Sequence, residues 1–197
     1  MKKLQALFTT LATFGCVLLS AAAKAELPPK AVVDGVYEGI QQIHGYKATP
    51  KLIWGVPQGK RGVCGRISGS HYCTHNHTVY ITQQDIRMAY QFGDAALAYI
   101  IAHEYAHAMQ TAYGFQPRNT PMSELQADCL AGVYLGLIPN MNFDEKDILE
   151  ISSLAYHIGD YAWGSRHHHG TPKQRLNAVV TGMVGSQNGK GVSICRL

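Results

Sequence analysis

Past its first 25 residues the chain has no apolar run of the about 20 residues needed to cross a bilayer. It also lacks an excess of charge. The formal net charge is +4 over 197 residues, but Lys2, Lys3 and Lys24 all fall in the first 25 residues, which contain no acid. Without that segment the balance drops by three to +1, and nothing favours nucleic acid as a partner. No Cys-x-x-Cys pair is present, which argues against a cysteine-rich zinc site. No internal repeat and no long low-complexity segment interrupts the chain. What remains is 46% apolar residues, enough to build the core of a single domain.

The opening segment has its own character. Lys2 and Lys3 make a basic start, Leu4 to Ser20 are mostly apolar, and Ala23-Lys24-Ala25 puts small residues at the −3 and −1 positions before Glu26. The expectation is a cleaved signal peptide over residues 1–25 and a domain over 26–197. The product would be secreted or periplasmic, with no stable membrane insertion. Cys16 would leave with the leader, and Thr13-Phe14-Gly15 before it is a poor match for lipid attachment. Cys64, Cys73, Cys129 and Cys195 remain, an even number suited to two disulfides in an exported chain. Three pairings are possible. The expected one joins Cys64 to Cys73 across a short loop and Cys129 to Cys195, tying the tail to the core.

Periodicity gives a helix-rich α+β domain with a small antiparallel sheet. Val32, Val33, Val36, Ile40 and Ile43 recur at helical spacing. Lys51 to Val56 and Thr78 to Thr82 read as strands, and residues 58–76 read as a loop stapled by the two early cysteines. Thr82 is an N-cap for a short helix. Ser123 opens a Ser-x-x-Gln capping box with Gln126, for a helix reaching about Leu137. A further helix starts near Asn142 or Asp144. Thr171-Pro172-Lys173-Gln174 combines a cap, a Pro at the first helical position and a Gln partner for the last one.

The chemistry centres on Ala95 to Tyr113, a helical stretch with no Gly or Pro before Gly114. Within it stands His103-Glu104-Tyr105-Ala106-His107. Residues four apart on a helix differ by about 40° in direction, so both imidazoles leave one face and can share one cation. Glu104 can then reach a water held by that cation. A solvated helix face is the alternative. Catalytic zinc takes three protein ligands and keeps a fourth place for water. Glu124-Leu125-Gln126-Ala127-Asp128 can supply the third from Glu124, while Asp128, on the same face, can accept the other ring N–H of a ligating histidine. A surface Glu/Asp pair is the competing reading. For the charge that develops on a tetrahedral oxygen, the favoured donor is His169, just before Gly170 and the last helix. A solvated loop would account for His167 and His168, and helix packing for Tyr105, Tyr156 and His157. Arg175 reads as a structural ion-pair partner for a carboxylate near the site. A polar loop explains His71, His75 and His77 more cheaply than a second metal site.

From about Cys64 to Cys195 the chain resembles the bacterial neutral zinc metallopeptidases, within the wider zincin group of the gluzincin type. The resemblance rests on Cys64-Gly65 with Tyr72-Cys73, Thr78-Val79-Tyr80-Ile81, Ala98 to Glu104, Glu124 to Gly132, Ile158-Gly159-Asp160, and His169-Gly170-Thr171-Pro172-Lys173-Gln174-Arg175. It implies a zincin-like fold and one zinc ion bound by His103, His107 and Glu124. It also implies Glu104 as catalytic base, roles near the site for Asp128 and His169, and peptide or protein substrates. Two departures stand out: Tyr161 follows Gly159-Asp160 where a second Asp is usual, and Tyr105-Ala106 replaces Val-Gly between the motif's ends. A non-catalytic exported zinc scaffold and a cell-wall amide hydrolase are the competing functions.

Overall fold

The computed structural model describes residues 26–44, 49–115, 120–165 and 168–196. The leader expected over 1–25 lies outside them, as does His167. In order come α1 (Pro29–His44), β1 (Lys51–Val56), β2 (Arg61–Gly62), β3 (Gly65–Arg66), β4 (His71–Cys73) and β5 (Thr78–Thr82). They are followed by α2 (Gln83–Ala89), α3 (Asp94–Ala112), α4 (Thr120–Leu137), α5 (Glu145–His157), α6 (Pro172–Gln187) and a closing 3-10 turn over Gly191–Cys195. The result is helix-rich with a small sheet.

That sheet is mixed, which corrects the antiparallel expectation. Its order is β1-β5-β4, with β1 parallel to β5 and β4 antiparallel to it. Residues 57–77 separate β1 from β5, and a connection of that length lets the chain cross back and run parallel. Within the stretch read as a stapled loop, β2 and β3 form a small separate hairpin. Asp85 anchors the start of β4: its Oδ2 accepts from the Ser70 N–H and hydroxyl (2.6 Å each) and from the Thr82 hydroxyl (2.8 Å).

α3 is the axis of the core. Nearly every residue from Asp94 to Gln110 is buried, as expected of a helix surrounded by other elements. Its N-terminus is capped from a distance. Glu150 of α5 accepts the Ala95 N–H at 3.1 Å, and a Cβ on Gly93 would sit 1.9 Å from the Glu150 carboxyl carbon. Three other caps follow local chemistry. Thr82 accepts from the Asp85 N–H, and Asp144 with Asp147 and Thr171 with Gln174 form capping boxes. The box expected at Ser123 is not an N-terminus, because α4 has already begun at Thr120. Gln126 turns to tertiary use instead, accepting from Gln110 Nε2 (3.0 Å) and donating to the Cys195 carbonyl (3.2 Å).

α4 and α6 meet backbone to backbone. A Cβ on Gly132 would lie 2.2 Å from the Val179 carbonyl oxygen, and one on Gly182 would lie 1.9 Å from that of Cys129. Glycine at both positions lets the two helices approach more closely than side chains would permit. The expected disulfides are present, Cys64–Cys73 beside β4 and Cys129–Cys195 between α4 and the tail. Together these contacts fix α4 between α3 and α6. No helix among the described residues is long and apolar enough to cross a membrane.

Candidate metal centre

His103 and His107 leave α3 on one face, and Glu124 reaches them from the first turns of α4. The donor atoms of the three residues lie close together, with the two carboxylate oxygens of Glu124 each facing one imidazole. His103 Nε2 lies 3.1 Å from His107 Nε2 and 3.2 Å from Glu124 Oε2, and His107 Nε2 lies 3.4 Å from Glu124 Oε1. A tetrahedral ion with ligands at about 2.0–2.1 Å keeps them roughly 3.3 Å apart, so these spacings suit a single small cation.

The far sides of both rings decide what the near sides can do. His103 Nδ1 contacts Asp128 Oδ1 at 2.8 Å, and His107 Nδ1–H donates to Gln110 Oε1 at 2.8 Å. An ionised carboxylate only accepts, so the Asp128 contact favours the His103 tautomer with its proton on Nδ1 and a lone pair on Nε2. Gln110 is itself oriented, its amide nitrogen donating to the Ser123 carbonyl (2.8 Å) and to Gln126. Two imidazole nitrogens and the two oxygens of one carboxylate therefore approach one another at 3.1–3.4 Å, an arrangement that repels itself unless a cation or a proton lies among them.

The titration of the site reflects the same need. Burial disfavours charge on His103, but its hydrogen bonds to the Asp128 and Glu124 carboxylates outweigh it and push the imidazole up to about 10. Burial likewise works against ionised Glu124, and the two histidines override it, holding the carboxyl far below its usual range. Asp128 is fully buried, and despite that the Arg175 guanidinium and His103 hold it at about 2. A metal ion held by these residues would take the place of the proton that His103 otherwise takes up.

Asp128 is the node behind the three candidate ligands. Its carboxylate accepts from the Tyr99 hydroxyl (2.5 Å) and from Arg175 Nε (2.9 Å) and a terminal Arg175 nitrogen (2.8 Å), in addition to facing His103. α3, α4 and α6 thus meet at one buried carboxylate. Glu104 is 8% exposed and lines the cleft on this side of α3. His169 is half-buried and lines the same cleft with His103, Glu104 and Glu124. Burial lowers its pKa, against the pull of Glu124. The cleft measures about 450 Å³ and is also lined by Ser70, His71, Tyr72 and Thr74, in and beside the edge strand β4.

Other candidates go elsewhere. Tyr105 turns to the back of α3, against His44 and Tyr134. Tyr156 and His157 line a separate surface groove. His75 lies beside Cys64 and His77 bonds the Tyr72 hydroxyl, so the three loop histidines do not share a centre. His168 is buried, which corrects the solvated-loop reading: Asp160 takes its Nδ1 at 2.6 Å. The sequence reading passed over Tyr99 and Gln110. Tyr99 lies four residues before His103 and Gln110 three after His107, spacings that place all four on one helix face. Replacing Gln110 with Leu is expected to weaken zinc binding about 10–100-fold, because His107 loses the acceptor that fixes its tautomer. Competition against a chromophoric chelator measures this, and unchanged affinity would show that the ring needs no such partner.

No solved structure matches this chain. The uncharacterized protein YpfJ of Escherichia coli K12 is 32% identical over 133 residues, covering 56% of this chain and 46% of that protein. YpfJ from Escherichia coli O6:H1 strain CFT073 matches to the same extent. The chain therefore spans about half the length of the curated relatives it matches. A family model described as "Putative neutral zinc metallopeptidase" matches residues 32–191, from within α1 to the final turn, and the chain belongs to that family.

Proposed function

We propose that the protein is an exported, zinc-dependent peptidase that hydrolyses peptide bonds with Glu104 as general base. The observation that carries this reading is the approach of three donor residues to one another at 3.1–3.4 Å beside buried Glu104 in an open cleft. In it, His103, His107 and Glu124 hold one zinc ion, which when bound lowers the pKa of water from about 15.7 toward about 7 and polarises a carbonyl oxygen. Glu104 takes the proton of the attacking water and passes it to the departing amine. His169 donates to the oxygen on which negative charge develops. Asp128 and Gln110 hold the two ligand rings, each through Nδ1. An extended peptide would lie along the outer edge of β4, which carries no further strand among the described residues and lines the cleft.

A structural zinc site tends to be closed by four protein ligands. Here the group that can hold the ion has three members among the described residues, and all four cysteines beyond the leader are in disulfides. Both facts support an open position and a catalytic role over a scaffold. Export rests on the basic start, the apolar stretch and the small residues before Glu26, and the two disulfides suit an oxidising compartment.

The test is reconstitution. Protein stripped with chelator is expected to be silent on a mixed peptide library, and stoichiometric zinc is expected to restore cleavage. Hydrolysis of purified wall fragments but not of peptides would favour an amide hydrolase. Tight zinc binding with no hydrolysis of either would favour the scaffold.

A further inference from the structure

We infer that Asp160 is a positioning residue whose carboxylate, locked to the buried His168 ring, fixes the backbone that presents His169 to the cleft. This rests on the peptidase reading and deepens it by assigning what holds the proposed oxyanion donor in place.

Asp160 makes four hydrogen bonds that close its loop. Its Oδ1 accepts from His168 Nδ1–H (2.6 Å) and from the Ala162 N–H (2.7 Å), and its Oδ2 accepts from the His169 N–H (3.1 Å). Its own N–H donates to the Gly170 carbonyl at 2.9 Å. His169 therefore has its backbone gripped on its own amide and again one residue later. These bonds, led by the one from His168, hold the Asp160 carboxyl at about 2, so it stays an acceptor at any pH where the protein would work.

The loop is also seated against the metal centre. Gly170 has φ +103°, and a Cβ there would come within 2.9 Å of Leu125 Cδ2, one residue beyond Glu124. At the other end, a Cβ on Gly159 would lie 2.3 Å from the Pro172 nitrogen. The base of the loop at Gly170 thus packs on the turn of α4 that carries a proposed ligand.

His168 carries a cost that packing alone does not explain. It is 3% exposed with its ring beside Trp163, and among the described residues its buried Nε2 has no hydrogen-bond partner. An unpaired buried polar group costs about 1–3 kcal/mol, which a phenylalanine would avoid. What the imidazole supplies is Nδ1–H, and that proton goes to Asp160. Holding a transition-state donor in place matters because a misplacement of about 1 Å can cost about 10²-fold in rate.

The test is a double-mutant cycle in zinc-loaded protein, with kcat and KM on a peptide, zinc content, and ¹⁵N NMR of the imidazoles. Asp160→Ala is expected to lower kcat about 10²-fold with KM and bound zinc little changed. Asp160→Asn is expected to recover only part of that, since its single amide oxygen can replace one of the two accepting carboxylate oxygens and its NH2 must face an N–H at the other. In a His169→Ala background, Asp160→Ala is expected to cost nothing further. The His169 ring signals are expected to broaden or shift toward free-histidine values in Asp160→Ala, while those of His103 and His107 stay in place. Independent, multiplying effects of the two substitutions, or unmoved His169 signals, would overturn the inference. The NMR arm does not depend on turnover: a protein that cleaves no peptide but loses the His169 signature in Asp160→Ala would sink the peptidase reading and keep the positioning role. Should Asp160→Ala fail to fold, His168→Phe keeps the ring volume, removes the Nδ1 donor and carries the same cycle.

Discussion

Exchanging Glu104 for glutamine is expected to lower kcat on peptides by about 10²–10⁴-fold, the range for loss of a positioned general base. Bound zinc is expected to stay the same. The two outcomes separate because Glu104 is not among the three converging donors, although it lines the same cleft. Glutamine keeps the shape and polarity that this nearly buried position requires, and it cannot take a proton from water. KM should hardly move, since the lost interaction belongs to proton transfer and not to ground-state binding. Metal analysis and turnover on a defined peptide measure the two quantities together. Equal silence of both proteins at full zinc occupancy would point to the scaffold. Equal activity would mean that another group acts as base.

Much of the fold could be read from local rules, and the misreadings have specific causes. Thr82, Asp144 and Thr171 mark true N-termini because their caps are satisfied within three residues. Ser123 matches the same pattern, yet α4 already covers it, and Gln126 is drawn into contacts with Gln110 and Cys195. A capping signature cannot announce that a tertiary partner has claimed its glutamine. Strand direction failed for a related reason. The composition of β1 and β5 gives no sign of which way they run relative to each other, and only the course of residues 57–77 sets it.

At the site, the regular spacings were informative and the loop was not. His103 and His107 on one helix, with Glu124 and Asp128 four apart on the next, already imply two facing sets of side chains. Extending the same helical arithmetic by one step in each direction reaches Tyr99 and Gln110, which a reading confined to the two motifs does not single out. The pairing of Asp160 with His168 has no such periodicity behind it. It depends on how the loop closes, and three adjacent histidines look like a solvated segment until a carboxylate is found against one of them.

Removing the Arg175 side chain tests whether the carboxylate behind the ligands depends on α6. Asp128 is 0% exposed and Arg175 4%, and two nitrogens of the guanidinium bond both carboxylate oxygens while one also reaches the Tyr99 hydroxyl at 3.4 Å. In Arg175→Met the apolar stem is retained and the charge is lost, leaving Asp128 buried with its main counter-charge gone. Breaking a buried pair in this way costs about 3–5 kcal/mol, and urea midpoints at fixed zinc should register a loss of that order. Measurements with and without zinc are both needed, because a ligand that binds only the folded state adds its own stability. Adding Asp128→Asn removes the stranded charge and is expected to return part of the loss. It cannot return the function, since a neutral amide is a weaker acceptor for His103 Nδ1–H, and zinc affinity should stay about 10–100-fold below that of the parent. Recovery of stability without recovery of metal binding would separate the two roles of Asp128, as anchor of α6 and as orienter of a ligand. If Arg175→Met were as stable as the parent, the pair would be no more than a contact between helices already held together at Gly132 and Gly182.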